Sequence, residues 1–160
     1  MRAYLGLGSN LGDRMGHLRH AVEGLRQLDP LLLTSSVYET APVGGPLQGP
    51  YLNCVARVET DLTPHELLDL AHRLEHEAGR VRTVRNGPRT LDVDILWIDG
   101  VELQDHDLVV PHPLMRERAF VLAPLEELDP ELVPPDWRAT VPGAADLTTD
   151  VRRVGTIDFS

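Results

Sequence analysis

Asp92 and Asp94 are the first residues whose type and spacing suggest chemistry. They interrupt the otherwise apolar run Leu91-Asp-Val-Asp-Ile-Leu-Trp-Ile98, which reads as a strand. Side chains two residues apart on a strand share a face, so both carboxylates point the same way. Like charges that close repel, and one acid would keep its proton unless a cation lies between them. A divalent ion resolves the repulsion, and an all-oxygen pair favours Mg²⁺ over zinc. The plainer reading of an isolated Asp-x-Asp is solvated surface acid. The apolar strand around this pair argues for the metal.

Arginine strengthens the case. Arg80, Arg82, Arg85 and Arg89 lie within residues 80–90, with no acid until Asp92. In a chain of formal net charge −10 this is a sharp local reversal. Guanidinium forks match phosphate oxygens. Arg116 and Arg118 form a second, smaller group. Arginines leading into a metal-type carboxylate pair describe a metal–polyphosphate site, in which each element offsets the other's charge. A third feature is the segment 40–50, Thr-Ala-Pro-Val-Gly-Gly-Pro-Leu-Gln-Gly-Pro, where six of eleven residues are Gly or Pro. A connection that long between paired strands is often functional. Tyr51 and Asn53 follow it on one strand face and could hold a flat heteroaromatic ligand by stacking and amide hydrogen bonds.

Other signals lead nowhere. Gly6-x-Gly8 followed by Gly12 lacks the third glycine of a dinucleotide fingerprint, since Leu11 stands in its place. No Gly-Lys-Ser/Thr phosphate loop is present. His72 and His76 sit one helical turn apart without a His-Glu-x-x-His.

The elements that must position these residues follow from periodicity. Residues 2–8 read as a first strand. Met15, Leu18, Val22 and Leu25 give an amphipathic helix. Residues 31–39 and 51–60 read as second and third strands, with Cys54 a small core residue. Thr63-Pro64-His65-Glu66 is a capped helix start with a capping box, and Gly79 stops that helix. Residues 91–98 form the fourth strand, and Asp99-Gly100 turns tightly into a short fifth at 101–103. Residues 114–128 read as helical pieces interrupted at Pro124. Strand-helix-strand-strand-helix-strand is the ferredoxin-like α/β (α+β) pattern. It predicts a mostly antiparallel sheet with two helices on one face and later helical pieces on the other.

The 160 residues suit one domain, 1–160, with a tail from about 135 that thins into turns along the surface. Hydrophobic residues at 42% and charged residues at 25% are ordinary for a globular chain. The apolar runs are too short to span a bilayer. The acidic balance argues against a nucleic-acid binder, though not against a small anionic substrate. A single Cys excludes an internal disulfide, and the N-terminus carries no secretory pattern, so a reducing cytoplasm is expected.

Six segments together resemble the 6-hydroxymethyl-7,8-dihydropterin pyrophosphokinase family of folate biosynthesis. They are Gly6-Leu-Gly-Ser-Asn-Leu-Gly12, Ser36-Val-Tyr-Glu-Thr-Ala-Pro42, Tyr51-Leu-Asn53, Gly79-Arg-Val-Arg82, Gly87-Pro-Arg-Thr-Leu-Asp-Val-Asp-Ile95 and Val110-Pro-His-Pro-Leu-Met-x-x-Arg118-x-Phe120. The resemblance implies transfer of pyrophosphate from ATP to the pterin hydroxymethyl group, with release of AMP. It implies that Asp92 and Asp94 hold two Mg²⁺ ions, and that Arg80, Arg82, Arg89, Arg118 and His112 surround the triphosphate. Arg80 and Arg89 join the two acids as catalytic candidates. Glu75 matches a position near the nucleoside. Tyr51 and Phe120 would sandwich the pterin, and Asn53 would read its polar edge with help from backbone near Thr40, Val43 and Gly44. From their length and charge, the loops at 40–50 and 80–90 are expected to tighten when both substrates are present. Ala41, His72 and Asn86 depart from the family pattern. Small-molecule partners, no nucleic acid or membrane, and a monomer or weak homo-oligomer are expected.

Two other readings share parts of this pattern. A ferredoxin-like, Mg-dependent nucleotidyl transferase or cyclase also sets paired acids on a sheet, but releases pyrophosphate. A non-catalytic ligand-sensing module would bind without turnover, and its carboxylates would be dispensable.

Overall fold

A computed structural model describes residues 1–40, 50–79 and 90–141, together with the backbone of 151–156; at Thr40 it describes the backbone alone. The two proposed lid segments therefore lie outside the described residues, apart from their ends.

The strands are β1 (Arg2–Ser9), β2 (Leu33–Thr34), β3 (Ser36–Thr40), β4 (Tyr51–Glu59), β5 (Asp92–Ile98), β6 (Leu103–Gln104), β7 (Val109–Val110) and β8 (Val151–Thr156). The helices are α1 (Arg14–Leu28), α2 (Pro64–Glu77), α3 (Ala119–Leu128) and α4 (Trp137–Thr140). The main sheet runs β5-β1-β4-β3-β8, with β2 also paired to β4. Every pairing in it among the described residues is antiparallel. This is the ferredoxin-like arrangement, with the first strand in the interior.

Alternation on the strands sorts the core into two layers. Leu5, Leu7, Cys54, Ala56, Val93 and Ile95 meet Leu18, Val22, Leu25, Leu67 and Leu74 from α1 and α2. Tyr4, Val55 and Leu96 face the other way, onto Val121, Leu122, Leu125 and Trp137. Helices thus cover both faces of the sheet. The start of α2 is as the sequence predicts. Thr63 Oγ1 accepts from Glu66 N at 3.2 Å, and Glu66 Oε1 accepts from Thr63 N at 2.9 Å. Gly79, with φ of 78°, ends that helix in a conformation that only glycine adopts freely.

Four expectations need correction. The strand expected over 31–39 is broken at Ser35. That buried residue still donates its backbone N–H to Val55 O at 2.9 Å, but receives Val55 N–H on its Oγ at 2.9 Å, and its own Oγ–H donates to Ser36 O. The Asp99-Gly100 turn forms, but the chain does not fold back onto β5. Instead Leu103–Gln104 pairs with Val109–Val110 in a separate two-stranded ribbon. The third helix begins at Ala119 rather than 114 and runs through Pro124. A proline there removes one helical hydrogen bond, at a cost of roughly 3 kcal/mol, which burial of Val121, Leu122 and Leu125 can carry. Finally, the chain after Pro135 does not merely skirt the surface. Trp137 is fully buried, its Nε1–H donates to Glu126 Oε2 at 2.9 Å, and β8 pairs with β3.

Candidate active site

The register of the sheet brings the candidate residues together. Gly8 of β1 lies between Asp92 of β5 and Asn53 of β4, and Asn53 in turn lies opposite Tyr38 of β3. One pleat along, Gly6 lies between Asp94 and Val55. Residues directly opposite one another share a face. Asp92 and Asp94 therefore stand on the same side of the sheet as Tyr51 and Asn53, the side covered by α3. With strands about 4.8 Å apart, the row from Asp92 to Asn53 spans roughly 10 Å. Its middle is glycine, so no side chain rises between the acids and the amide.

The acids behave as a repelling pair. The Asp94 carboxyl is pushed up to about 7 by burial first, then by the charges of Asp92 and Glu75, with Arg118 opposing. That is the situation that a hard cation relieves. Glu75 is 3% exposed. Its Oε2 accepts a hydrogen bond from Val93 N at 2.9 Å. β5 is the edge strand, so this backbone N–H has no neighbouring strand to bond. A helix α2 carboxylate fills that role between the two aspartates. At the same edge, His112 N–H donates to Leu96 O at 2.9 Å.

His112 is half-buried. Its Nδ1 accepts from Leu114 N at 3.1 Å, which selects the tautomer carrying hydrogen on Nε2. Burial and the Arg118 charge hold its pKa below the ordinary histidine value, against the pull of Asp92. It is therefore a neutral donor near pH 7. Arg118 opens α3, and its guanidinium lies 5.5 Å from the centroid of the Phe120 ring. Arg116 instead lies 5.9 Å over Trp97, so the second arginine pair divides between the site and the outer wall.

Of the sequence-derived candidates, the structure gathers Asp92, Asp94, Glu75, His112, Arg118, Phe120, Tyr51 and Asn53 around this face, with the backbone of Thr40 paired to Tyr51. Arg80, Arg82, Arg89, Val43 and Gly44 lie outside the described residues, as do Arg85, Ala41 and Asn86. The glycine row was missed. Its signal was there in Gly6-x-Gly8, at strand spacing rather than in a nucleotide-binding turn. A distinct exposed group, His65 with Asp105 and Asp107, brings Nε2 within 3.1 and 3.3 Å of the two carboxylates. It lies at the start of α2 and the β6–β7 connection.

The profile of a family described as 7,8-dihydro-6-hydroxymethylpterin-pyrophosphokinase (HPPK) matches residues 4–130. The chain belongs to the HPPK family. It is 50% identical over 128 residues to the 2-amino-4-hydroxy-6-hydroxymethyldihydropteridine pyrophosphokinase of Bacillus subtilis, covering 79% of this chain and 77% of that one. It is 46% identical over 134 residues to the protein of the same name from Methylorubrum extorquens, covering 82% and 85%. Among solved structures it is similar to an HPPK-DHPS in complex with substrates, with a TM-score of 0.55 at 13% identity over 79% of this chain and 40% of that one. That likeness speaks for the fold. Trp137 and β8 follow the end of the HPPK match at residue 130.

Proposed function

We propose that this chain transfers the pyrophosphoryl group of ATP to the hydroxymethyl oxygen of 6-hydroxymethyl-7,8-dihydropterin, giving AMP and the pterin diphosphate for folate synthesis in the cytoplasm. The observation that carries the proposal is the shared face of Asp92, Asp94, Asn53 and Tyr51. It sets a cation-demanding pair about two strands away from a surface suited to a flat, polar-edged ring.

The donor set fits Mg²⁺. Two carboxylates converge, and burial sharpens their repulsion. Mg²⁺ typically takes one or two protein carboxylates and fills its remaining positions with water and substrate phosphates. Bound there, as two ions on the family pattern, it would supply positive charge to the phosphate oxygens and make the pterin alcohol easier to ionise.

The other roles fall to the chain's own residues. Tyr51 and Phe120 hold the ring by its faces, and the Asn53 amide reads its edge together with the backbone near Thr40, Val43 and Gly44. The pterin oxygen attacks the β-phosphorus and gives up its proton to solvent, a new O–P bond forms, and the bond from that phosphorus to the α–β bridging oxygen breaks. Negative charge gathers on that bridging oxygen, which leaves with AMP. Arg80, Arg82, Arg89 and Arg118, with the Nε2–H of His112, donate to the phosphates. Donors already in place stabilise the transition state without reorganising. Glu75 acts beneath them by holding β5. No side chain is assigned as a dedicated base, and positioning with electrostatics can carry this class of transfer.

Product analysis tests the proposal. With ATP, Mg²⁺ and the dihydropterin, AMP and the pterin diphosphate should form in equal amounts. Release of pyrophosphate would point to a nucleotidyl transferase. Binding without turnover would point to a sensing module.

A further inference from the structure

Gly8 sits at the centre of the row joining Asp92 to Asn53, yet nothing in its backbone demands glycine. It lies within β1, and the positive φ angles among the described glycines belong to Gly12, Gly79 and Gly100. The reason for a missing side chain must be space. A Cβ on Gly8 would stand 2.7 Å from Asn53 Oδ1 and 3.7 Å from Tyr51 Cδ1. The second is an ordinary contact. The first is closer than any real methyl–oxygen contact, so one partner must move. The backbone of β1 is held by ladders on both sides, whereas Asn53 Oδ1 is the end of a side chain. Asn53 would give way.

Gly6 provides an internal comparison. It faces the same side one pleat away, and the three atoms nearest a Cβ there would be Leu96 carbons at 3.5–3.6 Å, ordinary contacts. Of these two glycines, Gly8 alone is crowded, and by the amide opposite it.

We infer that Gly8 is a positioning residue for the heterocycle: its bare backbone is the floor on which the Asn53 amide lies, and that floor fixes the direction in which the amide meets the ring. This inference rests on the proposed reading that Asn53 binds the pterin. Asn53 is only 9% exposed, so few rotamers are open to it. An amide turned by a methyl group would present its oxygen and nitrogen in the wrong places and leave polar groups of the ring unmatched.

The test is a double-mutant cycle on ligand affinity, with 6-hydroxymethyl-7,8-dihydropterin binding measured in the presence of Mg²⁺ and a non-hydrolysable ATP analogue. Gly8→Ala should weaken pterin binding by about tenfold or more, the scale of one lost buried hydrogen bond. Affinity for the ATP analogue alone should stay within about twofold. Gly6→Ala should leave pterin affinity unchanged. In an Asn53→Ala background, where the obstructed amide is gone, Gly8→Ala should cause no further loss. If Gly8→Ala alone does not fold, the double variant should fold and bind like Asn53→Ala; failure of the double variant as well would overturn the inference. Independent, additive losses would also overturn it, as would normal pterin affinity in Gly8→Ala alongside a clear loss in Asn53→Ala. A normal affinity in Asn53→Ala would instead sink the underlying reading of Asn53.

Discussion

At the scale of single residues, the site crowds acids together under burial. Asp94 is the clearest case, with a carboxyl raised to about 7 by burial and by Asp92 and Glu75. A raised carboxylate pKa means that the folded protein binds more protons than the unfolded chain between the ordinary aspartate value and about 7. Its contribution therefore stabilises the fold less as pH rises through that window. A cation at the pair competes with that proton. The thermal stabilisation given by Mg²⁺ should then grow as pH is raised from about 6 to about 8, and Asp94→Asn should abolish that growth. A Mg²⁺ effect independent of pH would contradict the assignment. In turnover, Asp94→Ala should lose roughly 3 kcal/mol or more of transition-state stabilisation, comparable to losing an essential electrostatic contact. Steady-state kinetics would show this as a fall in kcat/KM, and near-normal turnover would remove the metal role. Both aspartates were legible in the sequence because strand spacing alone sets them on one face. The part played by Glu75 was not. Its acceptance of Val93 N–H depends on β5 being the sheet edge, and strand order is not written in local periodicity.

At the scale of elements, local signals succeeded where one short segment contains both partners. The Thr63–Glu66 capping box and the Gly79 stop are such cases. They failed where a distant partner decides. Ser35 interrupts its strand by taking Val55 N–H on its side chain, Leu103–Gln104 turns to Val109–Val110 rather than to β5, and Pro124 stays helical because the sheet buries the helix around it. The segment after Pro135 is the sharpest instance. Its composition reads as turn, yet Trp137 plugs the α3 layer. Glu126 holds it there from α3, accepting from Trp137 Nε1 at 2.9 Å and pairing with Arg138 at 2.8 Å. The Arg138 guanidinium also lies 4.4 Å over the Trp137 ring. Trp137→Ala should cost about 3–5 kcal/mol, as for other buried aromatic truncations. Chemical denaturation would read it as a lower midpoint with little change in slope. A loss under about 1 kcal/mol would mean that this segment contributes little to the fold.

At the scale of the whole molecule, the chain divides its sheet between two tasks. The face under α1 and α2 is continuous apolar core. The face under α3 is core only at one end, around Tyr4, Val55, Leu96 and Trp137. At the other end the same strands change to Asp92, Asp94, Gly8, Tyr51 and Asn53. The proposed catalytic surface is thus a region where hydrophobic alternation stops on three adjacent strands at once. No single strand reveals this, which is why strand spacing could put Asp92 with Asp94 and Tyr51 with Asn53, while the glycine between the two pairs needed the strand order. The arginines at 80–89, read from sequence as the phosphate-holding group, precede β5 in the chain and lie outside the described residues.

The most direct test of the account is to locate the divalent ion. Mn²⁺, bound in place of Mg²⁺ with a non-hydrolysable ATP analogue, broadens the amide signals of nearby residues in NMR spectra. The account predicts that the signals of residues 6–8, 53 and 92–94 are lost first, while those of 63–66 and 105–107 persist. Selective loss around His65, Asp105 and Asp107, with the β5 signals intact, would contradict it.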